Sequence, residues 1–309
     1  MAEVIFIAFI VFSISYFSYI IYIVALTREG SLMSESKRKK AEESIRGAFH
    51  KSLFEPFTKA CRDYDLICDG DKIAVCISGG KDSFLLALLL SEIQRHKRAD
   101  FDLVFMAMDP GYSKENRLKI RRNCEELEIP VGIFESDIFE EIKDREKDVC
   151  YRCARMRRGC LYKHARESGC NKIALGHHFD DVIETSLMSL LYGGQIRTMM
   201  PRLKSRNYEG MELIRPMYLI READICAWRD LNGLEFLDCA CRVTEKKDSS
   251  KRKEIKDLIS ELKKTNPAVE ANIFRSMENV DLDKVLAYKS KGIRKSFLDD
   301  LQGGAEDEI

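Results

Sequence analysis

Six residues at the end of an apolar run, Ser78-Gly79-Gly80-Lys81-Asp82-Ser83, have the composition of an anion cradle. Two adjacent glycines let the backbone take conformations closed to other residues and come close to a ligand. The run before them, residues 72–78, reads as a buried strand, and residues 82–96 read as the helix after it. A turn from strand into helix aims free N–H groups and the positive end of the helix dipole at one spot, which favours an anion. Ser78 and Ser83 add hydroxyl donors, and Lys81 adds a positive charge. The spacing is neither the kinase-type G-x-x-x-x-G-K-[ST] loop nor a dinucleotide fingerprint. A plain strand–helix turn capped by Ser and Asp is the bland alternative. Six matched residues after an apolar strand outweigh it.

A second constellation, "LGHHFDDVIET" (175–185), ends another apolar run and opens a helix. Its adjacent carboxylates, Asp180 and Asp181, suit magnesium, a hard cation that takes one or two carboxylates plus phosphate oxygens. His177 or His178 can contact a phosphate or move a proton. Cysteines supply the third element. Cys150 and Cys153 form a C-x-x-C just before a basic helix, and Cys239 and Cys241 lie far downstream. Two such clusters can converge on one metal, either zinc on four thiolates or an iron–sulfur cluster, and spacing does not separate them. A redox dithiol would leave the second cluster without a role. The other seven of the eleven cysteines read as free thiols in a reduced protein, unlike the dense framework of a small secreted domain.

The turn S-G-G-x-D-S after a first strand resembles the pyrophosphate loop (PP-loop) of the ATP-pyrophosphatase superfamily, whose members place AMP on a substrate oxygen. The ordered set "SGGKDS", C-x-x-C with "ARMRRG", "KIALGHHFDD", "YGG", "IRP", "READI" and a distal cysteine pair is similar to the tRNA 2-thiocytidine synthetase family, over about residues 40–280. That resemblance implies ATP and Mg2+ as cofactors, and adenylation of the C2 oxygen of an anticodon-loop cytidine at tRNA position 32. It also implies a [4Fe-4S] cluster on three cysteines, with one iron open to bind the incoming sulfur. Carried over, Cys150, Cys153 and Cys239 are the metal ligands, with Cys241 as the alternative third. Lys81, Asp82 and Asp181 are the catalytic residues. The ATP-binding set is Ser78, Gly79, Gly80, Lys81, Asp82, Ser83, Asp109, Gly176, His177, His178, Asp180 and Asp181. The tight C-A-C pair, an extra leader and a short C-terminal extension depart from the family pattern. The chemistry is coherent without the name: replacing a carbonyl oxygen by sulfur needs a good leaving group, which adenylation makes, and a soft sulfur carrier.

Partners implied are tRNA and a sulfur donor such as a cysteine desulfurase, with a homodimer as a further candidate. Candidate tRNA contacts are Arg155, Arg157 and Arg158 on the basic helix 154–168, and Arg197, Arg202 and Lys204 in the basic loop around Pro201, with Tyr192 offering a stacking face. Lys+Arg and Asp+Glu both number 51, so any RNA surface must be a local patch. Three other readings compete. The same chemistry can thiolate another tRNA base or a small molecule. Amide-forming adenylation of the lysidine type leaves the cysteines unused. A membrane-tethered nucleotide-binding module with a structural zinc leaves Lys81, Asp82 and the Asp180–Asp181 pair unused together.

The elements that must position these residues alternate between strand and helix. Further strands are read at 101–109 (ending on Asp109), 131–136 and 172–178, with a fifth in "LIRPMYL" and helices between them. The pattern predicts an α/β fold with a doubly wound, mostly parallel sheet. Expected boundaries are a leader (1–32), a helical segment (33–70), a PP-loop domain carrying the cysteines (71–248), C-terminal helices (249–301) and a disordered acidic tail (302–309). Residues 4–26 are uncharged and long enough to cross a bilayer, with Arg28 and Lys37–Lys40 holding the rest of the chain in the cytoplasm. The alternative is an over-extended start upstream of Met33. Either way the catalytic body is expected in the cytoplasm.

Overall fold

A computed structural model describes residues 36–97, 99–136, 138, 149–237 and 251–303, apart from the side chains of 149–154, 300, 302 and 303. Cys239, Cys241, the apolar leader and the tail from 304 lie outside the described residues. Among the described residues no helix is long and apolar enough to cross a membrane.

The chain opens with α1 (Lys37–Arg46), a π-helical turn (His50–Phe54) and α2 (Glu55–Asp63). Next come β1 (Lys72–Cys76), α3 (Lys81–Arg95), β2 (Asp102–Asp109), α4 (Lys114–Glu126), β3 (Val131–Glu135), α5 (Val149–Glu167), β4 (Lys172–Ala174) and α6 (Phe179–Leu191). Two short strands, β5 (Arg202–Lys204) and β6 (Glu212–Ile214), precede α7 (Glu222–Leu231). The C-terminal part holds α8 (Lys251–Thr265), α9 (Val269–Ser276), the hairpin β7 (Ala287–Ser290)–β8 (Ile293–Ser296) and α10 (Phe297–Gly303).

The main sheet has six strands in the order β3-β2-β1-β4-β6-β5, all parallel except the edge strand β5. The doubly wound expectation holds. The chain leaves β1 toward β2 and β3, then returns to place β4 on the other side of β1, so the order reverses between β1 and β4. In such sheets ligands bind outside the carboxyl ends of the strands at that reversal.

Strand β1 has covered faces on both sides, which explains its apolar run. Ile73 and Val75 point into the larger core, and Ala74 and Cys76 into the smaller one. Phe84–Leu90 of α3 are all buried, because α3 lies between the sheet and the fully buried Trp228 of α7. Phe84 and Phe236 stack at 5.0 Å and tie the chain after α7 to the same core. Two differences from the expected elements stand out. The edge strand β5 has no counterpart in the sequence pattern, and the segment read as C-terminal helices also contains a two-stranded hairpin. Both are strands of three or four residues with polar side chains, so neither shows an apolar period.

Candidate nucleotide site at the sheet reversal

The loop after β1 is held in shape by its own residues. Ser83 Oγ donates to the Gly80 carbonyl at 2.8 Å and accepts from the Ser78 backbone N–H at 3.1 Å. Gly79 has φ +93°, and a Cβ there would come within 2.8 Å of Leu237 Cδ1 and 2.9 Å of Ile120 Cγ1. Its carbonyl accepts from the Leu237 N–H at 3.0 Å. The neighbouring loop presses equally close: a Cβ on Gly176 would sit 3.0 Å from the Asp82 carbonyl group. Glycine is therefore required at 79 by conformation and close packing, and at 176 by close approach of backbone.

Between these two loops lies a cavity of about 340 Å³. Ser78, Asp82 and Ser83 line it from the first loop, Gly176, His177 and Asp181 from the second, Met108 from β2, and Arg157, Arg158 and Leu161 from α5. His177 Nδ1 is buried without a hydrogen-bond partner, and Asp82 Oδ1 is buried with only the Lys81 ammonium beside it, at 3.2 Å. Orphaned polar atoms of this kind call for a ligand, ion or water.

The adjacent residues of the second constellation divide their roles. His178 caps α6: its ring nitrogen accepts from the Asp181 N–H at 3.4 Å, and Asp181 Oδ2 accepts from the His178 N–H at 3.1 Å. His177 faces the cavity. Burial, then the charge of Arg215, depresses its pKa to about 4, so its ring is neutral at pH 7. Asp180 turns outward: Oδ2 accepts from the Glu222 N–H at 2.7 Å and Oδ1 from Arg221 at 3.1 Å. Burial alone would push the pKa of Asp181 up, but the attraction of His178, His177 and Arg252 overcomes it, and Asp181 keeps its charge. Arg252 of α8 contacts it at 2.9 Å.

Lys81 sits 3.2 Å from both Asp82 and Glu222. Burial opposes its charge, but these two carboxylates more than compensate and raise its pKa. Glu222, desolvated but bonded to Lys256 and Lys81, is lowered to about 2. Sequence reasoning gives Glu222, Arg215, Arg252 and Lys256 no role. Glu222 and Arg215 lie within "READI" and "IRP", which the sequence presents only as motifs, and nothing local to Arg252 or Lys256 signals a site.

The remaining expected residues scatter. Asp109 is buried at the end of β2, where it accepts from the Gly111 and Tyr112 N–H groups and pairs with Arg117 at 2.6 Å. Arg157 and Arg158 line the cavity, whereas Arg155 is exposed. Arg202 is engaged by Glu212 and Asp65, each at 2.8 Å. Lys204 is exposed, and Arg197 lines a different groove. The Tyr192 ring is covered by Lys251 at 5.0 Å, so that face is taken within the chain.

Cys150 and Cys153 fall in the first turn of α5. Later turns of the same helix present Arg157 and Leu161 to the cavity. Leu237, docked on Gly79, ends two residues before Cys239.

A strand-loop-helix turn with the make-up of a phosphate cradle, at the reversal of a parallel sheet, defines a nucleotide-binding type of α/β fold. The family model of the PP-loop domain matches residues 50–261. Among curated relatives, the tRNA-cytidine(32) 2-sulfurtransferase of Coxiella burnetii (strain RSA 493) is 35% identical over 252 residues, 81% of this chain and 97% of the relative. That of Anaeromyxobacter dehalogenans (strain 2CP-C) is 35% identical over 233 residues, 74% of this chain and 79% of the relative. The U34-tRNA thiolase NcsA from Methanococcus maripaludis, solved with its [4Fe-4S] cluster, shares the fold, with a TM-score of 0.57 at 24% identity over 74% of this chain and 79% of that one. The chain belongs to the PP-loop family, in the branch of the tRNA-cytidine(32) 2-sulfurtransferases.

Proposed function

We propose that this protein is an ATP-dependent tRNA thiolase that converts an anticodon-loop cytidine, at position 32, to 2-thiocytidine. The observation that carries the reading is the cavity that joins Ser78, Asp82, Ser83, His177 and Asp181 to Arg157 and Leu161 of the cysteine-bearing helix. Nucleotide activation and sulfur delivery then share one wall. The curated relatives carry the corresponding name.

The roles follow from the geometry. The loop N–H groups, Ser78 and Ser83 hold phosphate oxygens, and the dipole of α3 favours their charge. Lys81 exchanges its carboxylate partners for phosphate and offsets the charge that builds at the α-phosphate during adenylation. Asp82 Oδ1 and Asp181 supply hard oxygen donors to Mg2+, and Asp180 instead pins the start of α7. Neutral His177 offers a hydrogen bond at the cavity wall. Cys150, Cys153 and Cys239, with Cys241 as alternate, hold a [4Fe-4S] cluster, which supplies a soft site for sulfur when bound. Arg155 and Lys204, both exposed, are offered to tRNA phosphates, and the sulfur comes from a donor such as a cysteine desulfurase.

The test uses the chain purified without oxygen from Met33, with unmodified tRNA, ATP, Mg2+ and sulfide. Iron and acid-labile sulfide in the protein, AMP and pyrophosphate release, and 2-thiocytidine in digested tRNA are the expected results. Lys81→Ala should lower the rate by about 10²–10³, the usual effect of losing one preorganised charge-stabilising group, with iron content unchanged. Bound zinc without iron, or sulfur found on uridine alone, would overturn the reading.

A further inference from the structure

A groove of about 1020 Å³ lies away from the nucleotide cavity, between the loop after α6 and the β7–β8 hairpin. Its lining includes Arg197, Arg206, Lys289 and Arg294, and no Asp or Glu among the described residues. Among the described residues, Arg206, Lys289 and Arg294 make no ion pair, and Arg197 donates only to Gln195, at 3.0 Å. Several basic residues of the same sheet and its helices are instead ion-paired: Arg202 with Glu212, Arg221 with Glu270, Arg252 with Asp181, Lys256 with Glu222. In a chain whose charges balance at 51 each, an unpaired group of one sign is a local field rather than a general property. The hairpin extends that field, since "AYKSKGIRKS" adds Lys291 and Lys295 and no acid. Half-buried Tyr288 stands in the same lining.

We propose that this groove binds the phosphate backbone of the substrate RNA at a second point of contact, with Tyr288 against a sugar or base. This rests on the tRNA reading above. Unpaired Arg and Lys beside an aromatic ring suit phosphates that carry flat bases. The groove adjoins the C-terminal end of α6, whose N-terminal end holds Asp181. Thirteen residues at the helical rise separate the two ends by about 20 Å. One ligand spans both only if it reaches that far past its reacting base, as a folded RNA stem does and a mononucleotide does not. The hairpin wall lies beyond residue 261, where the PP-loop match ends.

The test measures binding of an unmodified tRNA transcript by fluorescence anisotropy at several salt concentrations, with the full chain and with the triple variant Arg206→Ala/Lys289→Ala/Arg294→Ala. Each phosphate contact contributes roughly 0.7–0.9 to the slope of log K against log salt. The triple variant should therefore lower that slope by about 2–3, with ATP affinity and melting temperature unchanged. Tyr288→Leu should weaken binding by about fivefold or more without changing the slope. If wild type binds tRNA and the triple variant matches it in slope and affinity, this proposal fails and the thiolase reading stands. If wild type does not bind tRNA, both fail. Polyglutamate binding that the triple variant loses, with the tRNA slope unaltered, would reassign the groove to acidic protein and also overturn the proposal.

Discussion

At the scale of single residues, two neighbouring histidines show how position sets chemistry. His178 spends its ring nitrogen on the start of α6, and His177 keeps a buried Nδ1 for the cavity. Burial, with Arg215, Arg252 and His178 acting the same way and Asp181 opposing, takes His177 from an ordinary 6.5 to about 4. The unfolded chain takes up this proton first as pH falls, so stability is full above 6.5 and is lost between 6.5 and 4. The shift corresponds to about 3 kcal/mol as an order of magnitude. Asp181 and Glu222, both lowered, lose their contribution only below ordinary carboxylate values of 3.8 and 4.5. Glu184, raised by burial, acts in the opposite direction as its proton goes on. The histidine is therefore isolated by comparison: His177→Gln should lose less melting temperature between pH 7 and 4.5 than wild type. Superimposable profiles would show that His177 does not titrate this way.

At the scale of elements, the phosphate loop is shaped by what packs behind it as much as by its own residues. Gly79 touches Ile120 of α4 and Leu237 from the chain after α7, elements far apart in sequence. Gly79→Ala must move both neighbours and also strain a positive φ. The expected cost is about 1–3 kcal/mol, as for other overpacked sites, with weaker ATP binding; urea titration and nucleotide titration check the two effects. Unchanged stability with unchanged ATP affinity would mean that the loop and Leu237 are not mechanically joined. The same packing decides how much is legible in the sequence. Strands buried on both faces announce themselves as apolar runs, so β1, β2 and β4 and the loops after them can be placed. The edge strand β5 and the β7–β8 hairpin bury little and carry no such period. The site is legible where it is local, in "SGGKDS" and "GHHFDD". Arg252 and Lys256 reach it only because α8 folds back over α6, and no spacing rule foretells a contact across about 70 residues, as between Arg252 and Asp181.

At the scale of the whole molecule, the two ends of the sheet are built to opposite specifications. The carboxyl end leaves His177 Nδ1 without a partner and Asp82 Oδ1 with only the Lys81 ammonium beside it, at 3.2 Å, ready for a ligand. At the amino end, buried polar groups satisfy one another. Lys172, only 3% exposed, donates to Asp71 Oδ2 at 2.6 Å and to the Leu66 carbonyl at 3.0 Å. Asn171 donates to Asp71 Oδ1 at 2.8 Å and accepts from the Lys72 N–H at 2.8 Å. These bonds join the starts of β1 and β4, the two strands whose far ends carry the cavity loops. A buried ion pair gains little over an apolar substitute of both partners, but removal of one partner strands a charge, at a cost of about 3–5 kcal/mol. Lys172→Met should accordingly destabilise the fold by that amount in urea unfolding, and Lys172→Met/Asp71→Leu should recover much of the loss. The nucleotide site, at the other end of the same strands, should retain its ATP affinity in the folded fraction of either variant. If ATP affinity fell in step with stability, the amino-end network would be setting the spacing of the cavity loops rather than only anchoring the strands beneath them.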